Sequence, residues 1–326
     1  MVLFVDLFYH AGKLHPAVNA GQWYKTPEVA MYLKNNLREE ERVTTQYYYY
    51  PSSKIFLERP DNWSDTKTLI HLRNLLPAFN NLLYDIPLNI GAGNAAGLYV
   101  NRYRELEDEE FFKGLQYKGL SATSVTDSFV FLNKLMGVRY AIISGDIKHK
   151  DLKKVYSAKF ITEQDSISIY EFVNPLPRVF VVSKAEQASA KRINEHLLKA
   201  DFDPMEKIFV EEKIVEEGIG EFLSTASIKK YQDTEVAIQT NATSPGFLFL
   251  SDTYYPGWKV YVDRKEKKIL RANYAFRAVA VPKGKHTVVF RYQPKSFYYG
   301  VMISLGTFTI VSLGIAVFLF FDSRKK

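Results

Sequence analysis

One long apolar stretch near the C-terminus limits what this chain can form more than any other feature. Residues 300–321 have the sequence GVMISLGTFTIVSLGIAVFLFF, which is 22 residues without a charged side chain. A helix rises about 1.5 Å per residue, so this stretch can cross a hydrocarbon core of about 30 Å. A buried core helix is the alternative, but such helices rarely run this long without a polar face. With its aromatic start, the stretch predicts one transmembrane helix over residues 297–321.

The residues on either side of this stretch predict its orientation. Three aromatic residues at 297–299 precede it, and aromatic rings favour the headgroup layer. Three basic residues at 324–326 follow it, and basic residues favour the cytoplasmic side. We therefore expect a cytoplasmic basic tail over residues 322–326 and an extracytoplasmic body, held in the cell membrane by a single C-terminal span.

The start of the chain leaves one part of this topology open. Residues 1–22 begin apolar, but Asp6 interrupts the run and no basic segment precedes it, so a signal peptide is not indicated. We interpret them as an apolar segment and loop, or alternatively as the end of an earlier membrane helix. Without a signal or an upstream span, the C-terminal helix would be a tail anchor and the body would be cytoplasmic.

Residue types exclude several kinds of chemistry. The chain has no Cys, which excludes disulfides, thiolate metal sites and Cys nucleophiles. Its six His are scattered without metal-ligand spacing, and neither a Gly-x-Ser-x-Gly elbow nor a P-loop is present. The sequence therefore predicts no catalytic residue, no metal ligand and no cofactor, and nucleic acid is not an expected partner.

Positive charge is concentrated just before the predicted span. Residues 256–297 contain 11 Lys or Arg against two acidic residues, Asp263 and Glu266. A basic surface beside a bilayer is expected to meet anionic headgroups or phosphate-bearing lipids. Five residues are predicted to make these contacts: Lys259, Arg271, Arg277, Arg291 and Lys295. The alternative is a solvated strand face.

Residues 23–203 alternate between helical and extended patterns. The sequence Thr26-Pro27-Glu28 predicts a helix start, with Thr26 as the cap and Pro27 in the first helical position. Further helices are predicted at 66–76, 102–116, 127–136 and 185–198. Strands are predicted at 43–50, 138–144, 160–161, 167–172 and 178–183. This alternation predicts an α/β or α+β layer domain.

Residues 204–296 carry strand patterns with turn signals every eight to twelve residues. Strands are predicted at 209–215, 227–231, 235–240, 246–254, 258–262, 268–272, 277–281 and 286–292. This spacing predicts an all-β sandwich or jelly roll of about eight strands.

Within that region, the segment SDTYYPGWKVYVD at residues 251–263 is the most distinctive. Its Pro-Gly pair predicts a tight turn, which would gather Asp252, Tyr254, Tyr255 and Trp258 at one end of the sandwich. Aromatic faces beside a carboxylate can bind a sugar ring by stacking and hydrogen bonding. The same residues can instead form a corner that fills the core. Both interpretations remain open from the sequence.

Several segments together resemble a known family. SDTYYPGWKVYVD, then ILRANYAFRAVAV at 269–281, then GKHTVVFRYQP at 284–294 and the apolar helix resemble the C-terminal end of YfhO-like bacterial membrane proteins. LNKLMGVRYAI at 132–142, LPAFN at 76–80 and VDLF at 5–8 resemble the same family. The resemblance extends over nearly the whole chain.

The resemblance implies a role in assembling cell-envelope glycans or glycolipids. YfhO-like proteins are similar to glycosyltransferases of the GT-C class, which use lipid-phosphate-linked sugars on the outer face of the membrane. The catalytic acid of that class lies between early membrane helices, which this chain does not contain, so we expect the chain alone to be inactive.

The implied partners are membrane lipids, a glycan or lipid-linked sugar, and a multi-span membrane portion. The alternative is a non-enzymatic, membrane-anchored module that binds carbohydrate or protein.

Overall fold

A computed structural model of the chain describes residues 20–45, 73–76, 83–88, 101–108, 114–118, 121–159, 166–213 and 222–323. The α-helices in these ranges are α1 Ala20–Tyr24, α2 Glu28–Asn36, α3 Asn101–Asp108, α4 Asp127–Leu135, α5 Ala190–Lys199 and α6 Lys295–Ser323. A short 3-10 helix covers Arg73–Leu75.

The strands up to residue 210 are β1 Arg42–Thr45, β2 Leu115–Lys118, β3 Ser121–Val125, β4 Val138–Ser144, β5 Leu152–Lys159, β6 Ser166–Phe172, β7 Val179–Val182, β8 Lys184–Gln187 and β9 Lys207–Val210. The later strands are β10 Ser224–Gln232, β11 Glu235–Ala242, β12 Gly246–Thr253, β13 Trp258–Val262, β14 Lys265–Lys267, β15 Leu270–Ala272, β16 Phe276–Val281 and β17 Gly284–Tyr292.

A four-stranded sheet in the order β1-β4-β6-β5 forms the first layer, and β1 runs parallel to β4. Helix α2 packs on one face of it through Val29, Ala30 and Leu33, which share a core with Ile142 and Ile169. These helix positions lie three and four residues apart, the spacing of one helical face. The other face of the sheet packs against α4 in a second core.

A six-stranded sheet in the order β7-β12-β16-β15-β9-β8 forms the middle of the molecule. Its central strands are apolar at successive positions because both faces are covered. In β12, Phe247 and Phe249 point into the core shared with α4, whereas Leu248 and Leu250 point into a third core. Side chains alternate along a strand, so one sequence run supplies both cores.

A five-stranded sheet in the order β10-β11-β17-β13-β14 covers the far side of the middle sheet. Inward residues such as Val236, Val260 and Phe290 close the core between the two sheets. The predicted fold class is confirmed: a layered α and β region, a β-sandwich and one C-terminal apolar helix.

Some elements differ from the prediction because pairing with distant strands determines their secondary structure. Residues 185–187, predicted to begin a helix, instead lie in β8, because that strand pairs in parallel with β9. Helix α5 begins after Ser189, whose side chain accepts a hydrogen bond from the Arg192 N–H. Asn101–Asp108 is helical as predicted, whereas residues 115 and 116, predicted to be helical, lie in β2. Strand β5 was not predicted. The predicted strand at 160–161 lies outside the described residues.

The start of α2 also differs from the expected cap. Pro27, with an extended backbone of φ −61° and ψ 149°, is the N-cap residue and makes no side-chain capping bond, while the Val29 N–H in the first turn donates to Asn74 Oδ1 at 3.5 Å. Thr26 therefore does not cap this helix. The ring of Pro27 already fixes the entry conformation.

The predicted division into residues 23–203 and 204–296 stays a prediction. Strand β7, from the first part, pairs antiparallel with β12, from the second. Strands from both parts therefore share the middle sheet, and its two faces contribute to two different cores.

Helix α6 runs from Lys295 to Ser323, and the most apolar 18-residue window of its segment Lys295–Phe318 has a mean hydropathy of 2.2 with no residue buried. Such a helix is long and apolar enough to cross a membrane. The body described above precedes it directly through β17.

Candidate functional site

Three arginines surround one carboxylate where the sheets meet, and we call these four residues the arginine cluster: Arg42, Arg178, Arg277 and Asp252. The Asp252 Oδ1 lies 2.6 Å from Arg42 Nη2 and 2.7 Å from Arg178 Nη2. The Asp252 Oδ2 lies 2.8 Å from Arg277 Nη2. The side chains of Arg178, Arg277 and Asp252 are at most 5% exposed. The cluster is thus a buried constellation with two surplus positive charges.

Irregularities in two strands place these side chains. The pairing of β12 with β16 shifts between Leu250 and Thr253, so Ser251 and Asp252 form a bulge. A bulge redirects side chains, and here Asp252 is buried among the arginines. The pairing of β1 with β4 shifts at Arg42. Arg42 also donates to the carbonyl oxygens of Met136 and Ser251, at 3.1 and 2.8 Å, which ties β1 to the middle sheet.

Gly137, at the end of α4, makes room for Arg178. Its φ of +72° is a left-handed conformation, and a Cβ there would lie 2.5 Å from Arg178 Cγ. Glycine is the residue that tolerates both constraints. The end of α4 can therefore pack directly against the aliphatic part of the Arg178 side chain.

Charge attraction overcomes burial at Asp252. Burial alone would raise the pKa of its carboxyl, but the charges of Arg42, Arg277 and Arg178 outweigh that effect and hold the pKa well below its ordinary range. Burial lowers the pKa of Arg277, whereas the Asp252 charge raises it. Guanidinium groups remain protonated in proteins, so all four groups are ionised at neutral pH.

Two aromatic rings cover the guanidiniums. Arg178 lies 4.2 Å from the ring centre of Tyr231, and Arg277 lies 4.2 Å from that of Trp258. Arg178 Nε and Arg277 Nη1 are buried without a hydrogen-bond partner among the described residues. Stacking on aromatic faces offsets part of the cost of burying these charges.

Trp258 connects the arginine cluster to a second group that we call the collar: Tyr255, Gly257, Trp258, Tyr292 and Pro294. The ring centres of Trp258 and Tyr292 are 5.5 Å apart, and those of Tyr255 and Tyr292 are 6.2 Å apart. The Gly257 carbonyl accepts a hydrogen bond from the Gln293 N–H at 2.6 Å. Because Pro294 immediately precedes α6, the collar holds the chain at the point where the membrane helix begins.

The four predicted ligand residues belong to different groups in the structure. Asp252 belongs to the arginine cluster, and Tyr255 and Trp258 belong to the collar. Tyr254 lies under Arg271, whose guanidinium is 4.5 Å from its ring centre. A carboxylate that already binds three guanidiniums is not free for a sugar. The geometry therefore favours the interpretation in which this segment is a structural corner, and the ligand role of the four residues stays a prediction.

The five predicted lipid-contact residues also differ in their surroundings. Arg277 is 3% exposed and engaged by Asp252, so it does not reach a membrane surface. Lys259 pairs with Glu266 at 3.0 Å, and Arg291 pairs with Glu235 at 2.8 Å. Arg271 is 35% exposed, 3.9 Å from Glu211. Lys295 is exposed at the start of α6. Lipid contact by these four surface residues stays a prediction.

Sequence reasoning did not find Arg42, Arg178 or Tyr231. Arg42 follows a run of charged residues at 38–41 that looks solvated, and its partner Asp252 is 210 positions away. No local pattern marks such a pair. In the described part of the chain, no group of three His, Asp or Glu side chains could hold a metal ion.

Comparison with known proteins gives one relation. The family model for the bacterial membrane protein YfhO matches residues 221–304. That range contains the five-stranded sheet, the collar and the start of α6, so the resemblance is confirmed there and supports a membrane-associated role. The comparison with curated proteins gave no match, and neither did the comparison with solved structures.

Proposed function

We propose that this chain forms the extracytoplasmic part of a YfhO-like membrane protein that acts in assembling cell-envelope glycans or glycolipids. The observation that carries the proposal is the family match over residues 221–304, which includes the collar and the beginning of the apolar helix. Lipid-linked sugar transfer on the outer face would follow from the likeness to the GT-C class.

The geometry supports a rigid body close to the bilayer. The arginine cluster ties β1 to the middle sheet, and the collar ties the sandwich to Gln293, two residues before α6. Such a body can cover a catalytic face or present an acceptor there. The catalytic step itself would come from a multi-span membrane portion, with this chain as its outer part.

Cysteine labelling tests the topology. The chain has no native Cys, so Lys285→Cys in β17 and Lys325→Cys in the basic tail each create one labelling position. A membrane-impermeant maleimide added to intact cells is expected to label Lys285→Cys and not Lys325→Cys. The reverse pattern would refute the extracytoplasmic placement.

The glycan role needs a separate measurement. In cells lacking the gene, we expect a changed sugar content of isolated envelope polymers together with accumulation of a lipid-linked sugar. Restoring the full-length gene should restore both quantities. An unchanged envelope and an unchanged lipid-linked pool would count against a role in glycan assembly.

A non-enzymatic carbohydrate- or protein-binding module is the second candidate. The observation that favours it is an open cavity on the outer face of the five-stranded sheet, lined in part by Tyr261 and Arg291. If the purified chain binds carbohydrate or protein while the envelope glycans of the deletion strain are unchanged, this second function is the better supported one.

A further inference from the structure

The outer face of the five-stranded sheet carries a cavity of about 700 Å³, which we call the outer groove. Its lining residues are Tyr261, Asp263, Arg264, Thr287, Val289 and Arg291. They come from β13, the turn that follows it, and β17. Of these six, only Arg291 was among the candidate residues that the sequence indicated.

One aromatic ring in the groove lies beside two small side chains and near one cation, since the Arg291 guanidinium is 6.0 Å from the ring centre of Tyr261. Tyr261 is opposite Val289 in the pairing of β13 with β17, and Val289 is opposite Ala237 in the next strand. The Tyr261 hydroxyl donates to Gln293 Oε1 at 3.2 Å, which fixes the ring. A large ring beside a valine and an alanine gives an apolar surface wide enough for one sugar ring.

Polar groups along the groove are held in place before any ligand arrives. The Asp263 carboxylate accepts from the Thr287 N–H at 2.9 Å and from His286 Nδ1 at 2.6 Å. Arg291 is bonded to Glu235 at 2.8 Å through its Nε. Pre-organised polar groups lose little entropy on binding, which is a property of ligand sites.

Arg264 is unusual in both its backbone and its side chain. Val262 pairs with Lys265, so Asp263 and Arg264 form a two-residue hairpin turn, with φ of +48° and +68°. Such turns favour glycine at the second position, and another residue there costs free energy. The exposed Arg264 side chain has no ion-pair or hydrogen-bond partner among the described residues. An arginine thus stands where glycine suits the fold, with its charge available at the groove.

We propose that the outer groove binds a sugar that carries a phosphate or carboxylate group. The sugar ring would stack on Tyr261, its hydroxyls would bond Asp263 and Thr287, and its anionic group would pair with Arg264. Guanidinium binds phosphate and carboxylate through two parallel hydrogen bonds, which makes it suited to this task. The inference rests on the proposed function only for the biological source of that sugar.

A soluble saccharide fits this position better than a bilayer headgroup. Thr287 precedes Tyr292, the last residue of β17, by five positions, or about 17 Å of strand at about 3.3 Å per residue. The headgroup region adds only about 5–7 Å on each side of the hydrocarbon core. Along the strand, the Arg264 end of the groove is thus farther from the start of α6 than the headgroup layer is thick, and the glycerol 3-phosphate probe below tests a headgroup directly.

Calorimetric titration of the full chain in a zwitterionic detergent tests the site. The probes are glucose 1-phosphate, glucose, inorganic phosphate and glycerol 3-phosphate. We expect glucose 1-phosphate to bind at least about tenfold more tightly than each of the other three, because only it engages both Tyr261 and Arg264.

Two substitutions and one control separate binding from folding. Arg264→Gly should weaken glucose 1-phosphate binding by at least about tenfold, yet leave the thermal midpoint unchanged or higher, because glycine suits the turn. Tyr261→Leu should remove the preference for glucose 1-phosphate over glycerol 3-phosphate. Lys285→Gln removes an exposed charge from β17 outside the groove, so both its binding and its midpoint should match the original protein.

Three outcomes would overturn the proposal: no preference for glucose 1-phosphate, equal binding by Arg264→Gly, or glycerol 3-phosphate binding as tightly as the phosphosugar. The last would indicate a headgroup or phosphate site without a saccharide. Loss of binding in Arg264→Gly, combined with cytoplasmic labelling of the body, would uphold the groove and refute the proposed function. Extracytoplasmic labelling of the body without phosphosugar binding would refute the groove proposal and leave the proposed function standing.

Discussion

Replacing Asp252 with asparagine would remove the only negative charge in the arginine cluster while nearly preserving its shape. Three guanidiniums would then remain together, two of them with side chains 4% exposed. Removing one partner from a buried ion pair typically costs about 3–5 kcal/mol. Because three pairs depend on this one carboxylate, we expect Asp252→Asn to lose about 5 kcal/mol, the upper end of that range.

Urea unfolding of the detergent-solubilised chain, followed by tryptophan fluorescence, measures this loss. Trp258 is a suitable reporter because it stacks on Arg277. Asp151→Asn is the matched control: it breaks a pair with Lys134 at 3.1 Å whose side chains are 31% and 17% exposed. A partly exposed pair of this kind contributes at most about 1 kcal/mol.

A double variant and the pH dependence complete the test. Adding Arg178→Met to Asp252→Asn removes one uncompensated charge and should recover at least about 1 kcal/mol. The pKa of Asp252 is lowered in the folded protein, so its stabilisation is present above about pH 4 and is lost as the pH falls through the lowered value. The Asp252→Asn protein should lack this acid-side loss. Equal unfolding free energies for Asp252→Asn and Asp151→Asn would refute the reasoning.

Two further predictions concern the sandwich. Gly257→Ala should destabilise the protein by about 1–3 kcal/mol, because its φ is +96° and the new Cβ would lie 2.9 Å from the Tyr292 ring. Gly284→Ala is the control and should cost less, because its φ is +105° but the nearest atom to its new Cβ is 3.8 Å away. Equal urea midpoints for the two variants would contradict the packing argument. The hydrogen bond that His286 donates to Asp263 raises the pKa of the imidazole, so its stabilisation is complete below about pH 6.5 and disappears as the pH rises through the raised value. His286→Gln should therefore flatten the stability profile above about pH 6.5; an unchanged slope would rule this linkage out.

Much of the architecture follows from local patterns in the sequence. Strand β4 and strand β13 have the predicted bounds, because a buried strand and an alternating strand each leave a clear signal in their own residues. Strand β8 was mistaken for part of a helix, since four residues that pair in parallel with a distant strand carry no period of their own. The candidate site was only partly predictable: Asp252 and Trp258 stood out, but their roles did not.

The sequence by itself determined the apolar helix, the run of sandwich strands and the Pro-Gly turn, because each depends on neighbouring residues alone. Only the tertiary structure decided what Asp252 does, since its partners are 25, 74 and 210 positions away. The outer groove is likewise a product of the tertiary structure, because the pairing of β13 with β17 places the turn at Arg264 beside β17. Charge and burial at a site depend on which distant segments the fold brings together, and no local pattern contains that information.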